Sequence, residues 1–261
     1  MKSVLIIGNW KMNLNFHEAS VLVKRLSDNI QVHRDIEVVI APNLLVLHPI
    51  SKEIDRRKFS LAAQNAYFKD EGAYTGEVSF TMLRELVSYV LVGHSERRIY
   101  FHEDLETVRD KVTAAIRNGL SPVLCVGETH QERISGETKR VIHDQVTTAL
   151  SNLTSEDIDK VVIAYEPVWA ISTFGGELAK PSEVKPIIDL IRYNVKELYG
   201  DNASKDLRVI YGGSVDDQTA GGYLDIEGVD GLLPGSASLN YKKFTGIIES
   251  AYRMLHKTEK D

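Results

Sequence analysis

Glu166 ends an apolar run, VVIAYE, that reads as a strand covered on both faces. A carboxylate at the rim of such a core is costly to ionise. One explanation is an ion pair with a nearby cation. The other is a general base whose pKa rises when water is shut out. Pro167 and a large aromatic residue follow, then small and glycine-containing positions, PVWAISTFGG. That composition suits a segment made to move over the acid.

Further groups with useful chemistry stand at the ends of other apolar runs. In GNWKMN, Asn9 and Lys11 are two apart, so both side chains can leave from one face while Trp10 points away. A lysine there is commonly just solvated; its functional reading is a point charge facing a substrate anion. In VGHSERR, His94 ends a run and Ser95 is placed to cap a following helix. The positive end of that helix would disfavour an imidazolium and leave a neutral donor suited to polarising a carbonyl. Glu96 reads equally as an ion-pair partner or a catalytic group. YGGSV (Tyr211 to Val215) and PGSAS, with Gly235 and Ser236, offer backbone N–H groups to an anion. Cys125, in VLCVGET, has no local base to form a thiolate and reads as a small packed hydrophobe. No metal-ligand spacing, Walker loop or GxGxxG occurs, so neither a metal nor a cofactor is expected.

Eight β-branched runs must position these groups: SVLIIGN, IEVVIAP, FSLAAQN, SYVLVGH, SPVLCVG, KVVIAYE, LRVIYGG and VDGLLPG. Helical periods lie between them, as in DLETVRDKVTAAIRNG, with a capping Asp and a closing Gly, and in PSEVKPIIDLIRYNVKELYG, which starts on Pro181. Unalternated apolar strands separated by helices predict an α/β protein with a parallel sheet. Eight alternations in this length match one (β/α)8 barrel; a doubly wound open sheet is the competing pattern. No linker divides the chain, so residues 1–261 are expected to form one domain. In such a barrel the chemistry gathers where strands end, which is where Asn9, Lys11, Gln64, Asn65, His94, Cys125, Glu166, Tyr211 to Ser214, Gly235 and Ser236 all fall. The connection NAYFKDEGAYTGEVSF has no period and is long enough to expect a functional or contact role.

Composition narrows the classes. The 261 residues are 43% hydrophobic and 26% charged, as in ordinary globular chains. A formal charge of -6 argues against a nucleic-acid surface, so any anion site must be local. The single cysteine excludes an intrachain disulfide and fits a reducing compartment. The start lacks a secretory pattern and no run is long enough to span a membrane, so a cytoplasmic location is expected.

In GNWKMN, QNAYFKDEGAYTGEVS, VLVGHSERR, VLCVGE, AYEPVWAI, YGGSV and DGLLPGSASL, taken in order, the chain resembles the triosephosphate isomerase family along nearly its whole length. The resemblance implies a TIM barrel that interconverts dihydroxyacetone phosphate and glyceraldehyde 3-phosphate in glycolysis and gluconeogenesis, without a cofactor. By position, Glu166 would move the proton between C1 and C2 through an enediol(ate). His94 would be the electrophile, Lys11 would balance phosphate and enediolate charge, and Asn9 would fix a substrate oxygen. Ser172, Ser214, Gly235 and Ser236 would bind phosphate, with Ser95, Glu96, Cys125 and Tyr211 in support. The family habit is a homodimer, in which the loop carrying Thr75 enters the neighbour's active-site region.

Three departures stand out. Ser172 and Phe174 replace glycines of the lid, the stretch to Pro181 is about two residues long, and Ser236 replaces the second glycine of a phosphate-binding pair. If that position needed a positive φ, serine would cost roughly 1–2 kcal/mol there. Two other functions share the barrel: a sugar-phosphate-binding protein without turnover, and an aldolase that forms a Schiff base on lysine.

Overall fold

A computed structural model describes residues 3–171, 174 and 178–256. Its eight strands are β1 (Val4–Asn9), β2 (Ile36–Ala41), β3 (Ser60–Ala63), β4 (Tyr89–Val92), β5 (Ser121–Val126), β6 (Val162–Tyr165), β7 (Arg208–Tyr211) and β8 (Gly231–Leu232). All eight expected runs form strands. They pair in sequence order, all parallel, and β8 returns to β1 to close the barrel. The open-sheet alternative is excluded by that closure.

Among the described residues ten helices connect or cover the strands: α1 (Phe16–Asn29), α2 (Leu44–Glu53), α3 (Phe80–Leu83), α4 (Ser95–Tyr100) and α5 (Leu105–Arg117), then α6 (His130–Ile134), α7 (Thr138–Leu150), α8 (Pro181–Asp206), α9 (Ala220–Leu224) and α10 (Tyr241–Leu255). Their ends follow local chemistry. Asp104 accepts the N–H of Thr107 and caps α5, and Gly119, at φ 73°, supplies the left-handed residue beyond it. Pro181 is the first residue of α8. Gly200, at φ 88°, breaks that helix where the sequence ends its period, and a further helical turn runs on to Asp206.

The pleat divides the core into two layers. Leu5, Ile7, Val39, Leu91, Val123 and Cys125 fill the barrel interior, while their neighbours Ile6, Ile40, Val90 and Leu124 pack under the helices. Near the N-terminal ends of the strands Tyr89, Glu37 and Arg208 are joined. Tyr89 donates to Glu37 at 2.8 Å and receives from Arg208 at 2.9 Å, and burial pushes its phenol up to about 12. The interior is therefore shut at that end and chemistry is left to the other.

The connection after β3 is not formless. Tyr67 bridges to Ser79, its ring meets Tyr74 at 4.6 Å, and Gly72 and Gly76 take positive φ. From this base Thr75 is held out, exposed, at the loop tip.

Candidate active site

The strand ends bring Asn9, Lys11, His94 and Glu166 to the wall of one cavity of about 400 Å³, which Gly213, Ser214, Gly235 and Ser236 also line. Asn9 is the last residue of β1, and its Oδ1 accepts the N–H of Lys11 at 3.0 Å. Lys11 lies in the left-handed region at φ 51°, a strain of roughly 1–2 kcal/mol. Gln64, donating to the carbonyls of both Lys11 and Ala41, helps to hold it there. The Lys11 ammonium pairs with Glu96 at 2.7 Å. Of the two roles open to Glu96, the ion pair is the one the geometry shows.

His94, rather than Ser95, caps α4. Its Nδ1 accepts the N–H of Glu96 at 3.2 Å, so the ring hydrogen belongs on Nε2. The imidazole does the capping because its own Nδ1 folds back over the first turn. Ser95 is instead the first helical residue, and its buried hydroxyl has no partner among the described residues.

Glu166 is 3% exposed, and its Oε1 lies 3.5 Å from His94 Nε2. Its Oε2 is buried with no hydrogen-bond partner among the described residues. Two glycines make room for it. A Cβ on Gly127 would come within 1.8 Å of the Glu166 carbonyl oxygen, and one on Gly212 within 2.7 Å of its Cγ. Cys125 is buried in the inner barrel layer, and burial together with the nearby Glu166 pushes its thiol well up. It stays a neutral packing group, as its sequence context implied.

On the wall of the same cavity the N–H groups of Gly213 and Gly235 meet no acceptor among the described residues. Small residues there leave the backbone open to an anion. Ser214 differs: both its N–H and its hydroxyl donate to Ala170 O, at 3.1 and 2.7 Å. Ser236 begins a 3-10 turn (Ser236–Leu239) and is not among the residues with positive φ, so the strain considered for this substitution does not arise. The buried Tyr211 hydroxyl lacks a partner among the described residues, while its ring stacks on Tyr223 at 4.2 Å. Ser172, with Gly175 and Gly176, lies outside the described residues. Phe174 is described and stacks on Tyr100, ring centroids 5.8 Å apart.

Glu128 was missed. It is 2% exposed, accepts from Trp169 Nε1 at 2.8 Å and from the Tyr165 hydroxyl at 3.2 Å, and so fixes the residues on either side of Glu166 and Pro167. Arg133 lies over the Trp169 ring at 3.7 Å. Glu128 stands two residues beyond the end of β5, whereas Glu166 directly follows β6, so its place alone did not single it out.

Comparison with known proteins points to one family. The family model described as triosephosphate isomerase matches residues 4–251. A Clostridium tetani protein named triosephosphate isomerase is 42% identical over 249 residues, covering 95% of this chain and 96% of its own length. One of the same name from Chloroherpeton thalassium is 43% identical over 256 residues, 96% of this chain and 100% of its own. Another, from Dehalococcoides mccartyi, is 39% identical over 251 residues, 96% and 97% of the two chains.

Proposed function

We propose that this chain, which belongs to the triosephosphate isomerase family, interconverts dihydroxyacetone phosphate and D-glyceraldehyde 3-phosphate. The observation that carries the mechanism is the 3.5 Å approach of Glu166 Oε1 to His94 Nε2 on the wall of a cavity that also holds Lys11. A base beside an N–H donor matches proton abstraction next to a carbonyl. Glu166 takes a proton from one carbon and returns it to the next, while His94 Nε2–H steadies the oxygen on which charge develops. The pairing of a glutamate base with a neutral histidine is a known pattern for this enzyme, and its logic is adopted here. Lys11 offsets the enediolate charge, Asn9 orients a substrate oxygen, and the glycine N–H groups receive the phosphate with Ser214, Ser236 and Ser172. When the segment after Pro167 covers the site, the Tyr211 hydroxyl and Ser214 are the partners offered to it from β7.

The active unit is proposed to be a cytoplasmic homodimer of one-domain chains. A second cavity, of about 410 Å³, is lined by Lys11, Gln64 and Glu96 and by the exposed Met12 and Phe101. A partner's Thr75 loop would fill it and cover those apolar groups. Among the described residues no helix is long and apolar enough to cross a membrane.

A coupled assay with glyceraldehyde 3-phosphate tests the reaction, and absence of turnover would favour the binding-only barrel. Borohydride reduction in the presence of dihydroxyacetone phosphate should leave the protein unlabelled; covalent labelling would point to the aldolase. Light scattering at assay concentration should give a dimer, and a fully active monomer would overturn the assembly.

A further inference from the structure

Charge is unevenly arranged in the main cavity. Its wall carries the ammonium groups of Lys11 and Lys243 and the carboxylates of Glu166 and Asp216, and Lys11 is already ion-paired with Glu96. With Glu96 the carboxylates number three against two ammonium groups. The chain's formal charge is also -6. A phosphate ester entering this cavity therefore draws on positive charge beyond that of Lys11.

Lys243 lines the same cavity, as do Ser236 and Asn240. It lies in the first turn of α10, where a cation opposes the helix dipole and no acidic residue accompanies it. Asn240 fixes this turn by accepting the N–H groups of Lys242 and Lys243 at 3.0 and 3.3 Å. Among the described residues Lys243 has no ion pair within 4 Å. Asp216, which lines the same cavity, feels its charge, and the Asp216 Oδ1 is already engaged by the Gln218 and Thr219 N–H groups and the Thr219 hydroxyl. The charge of Lys243 is therefore left for whatever occupies the cavity.

We infer that Lys243 is a substrate-binding residue, a second cation that draws in and seats the phosphate group in the cavity it shares with Gly235 and Ser236. The inference rests on the proposed isomerase reading for the identity of the substrate, but not for the existence of the anion site. Its contribution is electrostatic and exposed to solvent, so it is modest and fades with salt. Arginine in the same place keeps the charge and should keep the effect.

The test uses inorganic phosphate as the probe and Lys243→Gln, Lys243→Glu and Lys243→Arg as variants. At low ionic strength the Kd for phosphate should rise about three- to tenfold in Lys243→Gln, more in Lys243→Glu, and little in Lys243→Arg. In the coupled assay the loss should fall on KM rather than kcat, and it should shrink as salt is added. Equal phosphate affinity in all four proteins at low salt would overturn the inference. If the wild-type protein failed to turn over the triose phosphates, the isomerase reading would fall, and the phosphate titration alone would still decide the role of Lys243.

Discussion

Glu96 donates its backbone N–H to His94 Nδ1 at 3.2 Å while its carboxylate holds the Lys11 ammonium at 2.7 Å. One residue thus sets the tautomer of the histidine and the position of the lysine. The histidine hydrogen is directed to Nε2, 3.5 Å from Glu166 Oε1. A donor and an acceptor face one cavity on rigid strand ends, which is what a proton transfer next to a carbonyl needs.

Glu166→Gln keeps the shape of the side chain but removes its ability to accept a proton. The expected outcome is a loss in kcat of about 10²–10⁴-fold or more, with a much smaller change in KM. Steady-state kinetics checks this, and near wild-type turnover would remove Glu166 from the role of base.

Gly212→Ala probes placement without touching a titrating group. The new Cβ would stand 2.7 Å from Glu166 Cγ and 3.0 Å from Oε1, so the carboxylate must move. Gly212 does not need a positive φ, so the effect is steric and confined to the base. We expect kcat to fall by about 10²-fold, since displacements of this order carry that cost, with only a small shift in Tm. Unchanged kcat would mean the base has freedom the geometry denies it.

Much of this arrangement was legible before any coordinates. Apolar runs without alternation could only be strands covered on both faces, and eight of them alternating with helices left few topologies. Glu166, His94 and Lys11 stood out because each ends such a run. What escaped notice depends on which atoms meet. Nothing in SERR says that His94 would cap α4 in place of Ser95, because both side chains can do so and only the backbone direction chooses. Glu128 was hidden by its partners Tyr165 and Trp169, which lie 37 and 41 positions away. For Ser236 the residue type suggested strain, but the strain depended on a φ that sequence does not display.

Cys125 should be inert in the folded protein. It is 1% exposed, and burial together with Glu166 pushes its thiol well up, so thiolate is scarce at neutral pH. Iodoacetamide at mildly alkaline pH should label it at least ~100-fold more slowly in buffer than in denaturant. Rapid labelling of the native enzyme, with activity retained, would show that the inner barrel layer opens far more readily than its packing implies.

Glu128 gives a pH-dependent prediction. Burial holds its carboxyl above the usual range, while hydrogen bonds from Trp169 and Tyr165 pull it partly back. A folded-state pKa above the unfolded one means the native protein binds the proton more tightly. The resulting stability is fully present below the unfolded pKa and is lost as pH rises through the folded one. Glu128→Gln stays neutral throughout and keeps an acceptor oxygen for Trp169. The variant should therefore gain stability relative to wild type as pH rises from about 4 to about 7. Urea unfolding at both ends of that range measures the gap. A gap that stays constant, or widens in favour of wild type, would show that Glu128 is held as a carboxylate by its neighbours and that burial does not dominate its ionisation.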